Sequence, residues 1–175
     1  MAGQKTKIVL DADVIIHFFK GGKLPLLPRI LPEFQFLILD VVKREIPPLL
    51  SKALEQMIVR DKSLVEESFG LTSGEMREFA ALTAACGLGL GKGESACMVY
   101  CLYHNDVLGS SNLRDVKQYC ESHGITYLTT VDFLYYAIQR KLMTKEEASE
   151  FVQQVVAAGS KLPNVDFDTY FCDKI

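Results

Sequence analysis

No apolar run in this chain reaches the roughly 18 residues of a membrane-spanning helix, so no segment reads as transmembrane. Repeats and low-complexity stretches are missing, which argues against a repeat array or a disordered tract. Positive charge is not in excess. The net charge of −3 and the pI near 5.6 exclude a general basic coat for nucleic acid but allow a local basic groove. A zinc pattern is lacking too. Cys86, Cys97, Cys101, Cys120 and Cys172 are odd in number, fit no zinc spacing and follow no signal peptide. They read as buried reduced thiols, which implies a reducing cytoplasm. The three histidines, His17, His104 and His123, fall on predicted helices and read as structural or surface groups. The glycine-rich GLGLGKGES lacks the G-x-x-x-x-G-K-[ST] spacing of a phosphate loop.

What is present is apolar bulk: 49% of 175 residues, with a slightly positive mean hydropathy of +0.13. That suffices for a core without staples. One domain over 1–160 is expected, with a tail, 161–175, packing on it. Strands are predicted at 5–11, 34–40, 106–110 and 125–129, and a short one at 64–67. Helices are predicted at 13–20, ended by Gly21-Gly22, and at 47–60, opened by Pro47. Another runs from the capping box Thr72/Glu75 to about Cys86, before a glycine hinge at 87–93. Further helices are expected at 94–105, 112–123, 130–141 and 144–158, the last with the capping box Thr144/Glu147. The proline-punctuated segment 24–33 should form short helical turns. Strands alternating with helices imply an α/β fold, a central parallel sheet with helices on both faces.

The candidate chemistry lies at strand ends. KIVLDADVII carries Asp11 at the end of an apolar strand, and a carboxylate there needs a partner. Asp13, two residues on, has two readings: a cap for the next helix or part of a site. Asp40 ends the second strand and reads as a cap of VVKRE, and Glu45 would reach the same sheet edge as Asp11. Glu94 begins a helix that is apolar on almost every side. It answers either to the helix dipole or to a metal or substrate. SSNLRDV places Ser110, Asn112 and Asp115 at the third edge, where Asn112 and Asp115 also suit a helix start. Such a set of oxygens without histidine suits Mg²⁺ or Mn²⁺ rather than zinc, and that arrangement serves phosphodiester cleavage. Lys43, Arg44, Lys92 and Arg114 stand beside the acids as candidate phosphate contacts, or simply as a solvated face.

Four segments, KIVLDADVII, LDVVKREI, GLGKGESACMVYC and VLGSSNLRDVKQYCESHGITYLTTVDFLYYAIQRKLMT, resemble in order and spacing the PIN domain, and within it the VapC-like toxins. The resemblance covers roughly residues 7–160. It implies a three-layer α/β/α fold and a Mg²⁺- or Mn²⁺-dependent endoribonuclease. Asp11, Glu45 and Glu94 match the first three family acids. Asn112 stands where the fourth belongs; its carbonyl can still meet a metal, and Asp115 supplies a charge one turn on. Asp13 occupies a position where the family commonly has Ser, Thr or Asn. In this scheme Asp11, Glu45, Glu94 and Asp115 are catalytic, Asp11, Glu94, Asn112 and Asp115 hold the metal, and Asp13 and Ser110 serve the substrate. An RNA substrate, an antitoxin partner and a homodimer follow from the same likeness, with segment 24–32 a candidate contact surface; no membrane is expected, as no apolar run is long enough to span one. Two rival readings stay open: a phosphatase with Asp11 of DADVI as nucleophile, and a non-catalytic binding module whose metal site has degenerated at Asn112.

Overall fold

Strand β1 (Lys7–Leu10) is buried along its whole length and has a parallel neighbour on each side. A strand covered on both faces must be apolar without alternation, and KIVL meets that demand. The computed structural model describes residues 5–85 and 91–175. Cys86 and most of the expected glycine hinge lie outside the described residues. β2 (Gln35–Leu39) pairs with β1 in the register Ile8↔Phe36, and β3 (Val65–Glu67) adds to β2 as Leu37↔Val65. β4 (Val107–Gly109) returns to the other side of β1 as Val9↔Leu108, and β5 (Tyr127–Leu128) follows it. The order is β3-β2-β1-β4-β5, all parallel. The direction of sheet growth therefore reverses between β1 and β4. Open parallel sheets keep their crevice at that switch point, beyond the carboxyl ends of the strands.

Helices cover both faces, giving the three-layer α/β/α architecture expected. On one face α1 (Ala12–Lys20), the short α2 (Leu27–Ile30), α8 (Thr130–Gln139) and α9 (Lys145–Ala157) pack on one another. Phe18 anchors this layer, touching the rings of Phe133 and Phe151, and Phe36 of β2 meets Phe133. On the other face α6 (Lys92–His104) lies against β1, β2 and β4, flanked by α5 (Ser73–Ala85) and α7 (Leu113–His123). Its residues from Gly93 to Cys101 are all buried, as an all-round apolar helix requires. Cys97, Cys101, Cys120 and Cys172 are free and buried. Among the described residues no helix is long and apolar enough to cross a membrane.

Several boundaries differ from expectation for local reasons. The helix expected over 47–60 is α4 (Pro48–Glu55), relaxing into a wider π-type turn over Gln56–Arg60. α6 begins at Lys92, so Glu94 sits inside the first turn and not at its edge. Asp40 opens the one-turn α3 (Asp40–Lys43) without capping it. Its carboxylate accepts the Phe69 N–H at 3.1 Å and pairs with Arg44 at 2.5 Å. Residues 161–175 form no strand. Tyr170 and Lys174 reach the buried Asp132 at 2.6 and 2.8 Å, and Phe167 and Cys172 are buried.

Candidate functional site

Where β1 ends, Asp11 is in extended conformation and caps α1, its Oδ1 accepting the Ala12 N–H at 2.7 Å. Its own N–H donates to the Gly109 carbonyl at 2.8 Å, and the Ser110 hydroxyl donates to its Oδ2 at 3.3 Å. The capping role considered for Asp13 thus belongs to Asp11. Asp13, in the first turn of α1, faces the segment between β4 and α7, where its Oδ2 accepts the Ser111 N–H at 2.8 Å.

Ser111 continues a chain of hydrogen bonds that sequence reading missed. The Thr130 N–H donates to Ser111 Oγ at 2.8 Å, and the Ser111 hydroxyl donates to Thr130 Oγ1 at 2.8 Å. The Thr130 hydroxyl then points to His17 Nδ1 at 2.9 Å. Burial, helped by the Lys20 charge, lowers the His17 pKa to about 4, so the ring is neutral and can accept. His17 thereby helps to hold the loop that carries Ser110 and Asn112, although its sequence position gave no hint of it. The Ser-Ser and Thr-Thr pairs closing β4 and β5 were the available signal.

On the α6 side Glu94 is only 6% exposed. Asn112 turns its amide towards Glu94 Oε2 at 3.4 Å and towards Asp115 Oδ2 at 2.9 Å. It occupies the N-cap position of α7 without capping it. Its donor hydrogens instead sit between two carboxylates. Glu94 Oε1 is buried and has no hydrogen-bond partner. Glu45, on the solvent side, accepts the Gly93 N–H at 2.9 Å. A Cβ at Gly93 would lie 2.6 Å from Glu45 Oε2, so the contact requires glycine there.

The electrostatics of the cluster are those of crowded like charges. Burial, then Asp13 and Glu94, push the Asp11 carboxyl well above its usual range. Burial outweighs the bonds from Ser111 and Val14 and raises Asp13 to about 6. Glu94 rises to about 7 through burial, then the charges of Asp13 and Asp115, with the Asn112 bond pulling the other way. Each acid therefore wants a proton or a cation at neutral pH. The donor set is all oxygen, and Glu94 Oε1 is left without a partner, which is the donor chemistry that a hard divalent ion takes. Among the described residues no three His, Cys, Asp or Glu side chains are gathered closely enough, as placed, to hold one.

The structure thus brings Asp11, Asp13, Glu94, Ser110, Asn112 and Asp115 into one cluster at the carboxyl ends of β1 and β4, with Glu45 joined through Gly93. The basic candidates divide. Lys43 is held by Glu66 at 2.6 Å and Glu55 at 3.0 Å, and Arg44 by Asp40. Lys92 and Arg114 are exposed, with no ion pair among the described residues. Lys92, Arg44 and Glu45 line a cleft of about 490 Å³ that also contains Phe69 and Phe79.

No protein-family model matches the chain, and no curated protein matches it. Its fold is similar to a solved structure, a PilT N-terminus domain protein of the hyperthermophilic archaeon Sulfolobus solfataricus P2. The identity is 13%, the match covers 75% of this chain and 93% of that one, and the TM-score is 0.44.

Proposed function

We propose that this chain is a Mg²⁺- or Mn²⁺-dependent endoribonuclease of the PIN type. One observation carries the reading: a buried carboxylate oxygen, Glu94 Oε1, without a partner, amid Asp11, Asp13 and Asp115. Buried unpaired charge of this kind is retained where a cation compensates it. Asp11, Glu94, Asp115 and the side-chain carbonyl of Asn112 are the residues that would hold the ion, with Glu45 beside them. When bound, a divalent ion supplies Lewis acidity and an activated water for in-line attack on a phosphodiester. The chain's own groups do the positioning. Ser110 steadies Asp11, Ser111 steadies Asp13, and the Thr130–His17 link fixes the loop between them. Of the four cations that the sequence sets beside the acids, Lys92 and Arg114 are the exposed ones without an ion pair among the described residues, and they would meet phosphate.

The test is cleavage of a labelled single-stranded RNA with Mn²⁺. Wild type should cut, chelator should stop it, and Asp11→Asn should abolish cutting while circular dichroism stays unchanged. Equal cutting by Asp11→Asn would refute the assignment. A second reading, a binding module with a degenerate metal site, is favoured by the Asn112 amide standing between Glu94 and Asp115. RNA bound in the presence of Mn²⁺ but never cut would select it. The toxin role, the antitoxin partner and the homodimer are supported by the sequence resemblance alone. Growth arrest on induction, relieved by the product of a neighbouring reading frame, tests them.

A further inference from the structure

Two of the four cations placed beside the acids by the sequence are held by their own carboxylates, Lys43 by Glu55 and Glu66, and Arg44 by Asp40. Another group of lysines stands at the β4–β5 end of the same sheet edge. A groove of about 230 Å³ starts at Ser111 and runs between α7 and the C-terminal tail. Tyr127, Leu162 and Val165 are among its walls, and Lys117, Lys161 and Lys174 line it too. Lys174 is engaged, reaching Asp132 at 2.8 Å and lying 4.3 Å from the centre of the Tyr127 ring. The other two are available. Lys117 approaches Glu121 only at 3.8 Å, both being more than half exposed, and Lys161 has no ion pair among the described residues.

Ser111 ties the groove to the acids. It lines the groove, and its N–H holds Asp13 at 2.8 Å. A slot with apolar and aromatic walls, lined by lysines, in a chain of net charge −3, suits a flat apolar group that carries a negative charge. Its volume is below the roughly 300–1,000 Å³ of pockets for drug-sized ligands, so it takes one unit at a time. A duplex, gripped through its outer phosphates, would have no use for such a slot, whereas an unpaired base would enter it.

We propose that this groove is a nucleotide subsite that takes one unpaired base of single-stranded RNA next to the acid cluster, with its phosphate facing Lys117 and Lys161. The proposal rests on the nuclease reading above and adds where the substrate chain leaves the acids. The probe is a fluorescein-labelled oligouridylate, read by anisotropy on full-length Asp11→Asn, which keeps it uncut. Lys117→Ala/Lys161→Ala, both exposed positions, is compared in that background. Single strands carry a salt slope of about 0.7 per neutralised phosphate, so losing the two lysines on that one phosphate weakens binding about 5-fold at 0.1 M salt and flattens the slope by about 0.7. In the wild-type background the same pair should raise KM and leave kcat nearly unchanged. Unaltered affinity and slope, while wild type still cuts RNA, would overturn the groove and spare the nuclease. Absence of both binding and cutting by wild type with Mn²⁺ would overturn both. Equally tight binding of a duplex, or displacement of the probe by oligoglutamate at matched charge, would also overturn the subsite, the latter in favour of an acidic peptide.

Discussion

Glu94→Gln removes a charge from the crowded cluster while keeping the side chain's shape. The Glu94 carboxyl is raised to about 7 by burial and by Asp13 and Asp115. A carboxyl raised by folding stabilises the fold while it can remain protonated, below its ordinary pKa, and that contribution is lost as pH rises through the folded value. Without a divalent ion the wild type should therefore lose stability between about pH 4.5 and 7. At face value the rise is worth about 3 kcal/mol, and solvent screening reduces this to about 1–2 kcal/mol. In EDTA at pH 8, Glu94→Gln should then be the more stable protein by about that amount, and at pH 5 the two should nearly coincide. With Mn²⁺ the order should reverse, because only the wild type gains from binding. Urea unfolding at the two pH values, with EDTA or Mn²⁺, measures all of this. A Glu94→Gln protein less stable than wild type at pH 8 in EDTA would show that the carboxylate is already compensated, and the reasoning would fail.

Three further substitutions probe the same cluster and its supports. Asn112→Asp replaces a donor between Glu94 and Asp115 with a third charge; in EDTA at pH 8 it should cost about 1–3 kcal/mol in a thermal melt. Mn²⁺ should more than restore it, and binding tighter than in wild type would show that the fourth-acid position is a ligand position. Gly93→Ala pushes a Cβ to within 2.6 Å of Glu45 Oε2, which is exposed and free to swing away, so stability should change by less than about 1 kcal/mol. Its Mn²⁺ affinity and cleavage should fall, and an unaltered Mn²⁺ titration would remove Glu45 from the site. Thr130→Val strands His17 Nδ1 and the Ser111 hydroxyl, at a cost of about 1–3 kcal/mol in urea unfolding. Thr130→Ser should recover most of it, and a neutral Thr130→Val would deny the relay.

Much of the scaffold was legible because its signals are local. The unbroken apolar KIVL marks a central parallel strand, and the glycines at 21 and 22 close α1. Thr72 with Glu75 and Thr144 with Glu147 make the reciprocal bonds their spacing announces. What escaped depends on contacts between distant segments. Asp13 and Ser111 are 98 residues apart, and His17 and Thr130 are 113 apart. No periodicity reports such pairings, so Asp13 could pass for a cap and His17 for a structural or surface group. The basic residues show the same limit. Lys43 stands beside the acidic motif in sequence, yet Glu66 from β3 takes it up. Asn112 looked like a deficit, a missing charge, because only the folded chain shows its amide between Glu94 and Asp115.

The central claim is that acids distant in the chain share one divalent ion. Calorimetric titration of the folded protein with Mn²⁺ near neutral pH tests it most directly, with Asp11→Asn as the comparison. Saturable binding by wild type, accompanied by proton release from the raised carboxyls and lost in Asp11→Asn, is the predicted result. A flat titration of wild type, or identical binding by Asp11→Asn, would contradict it.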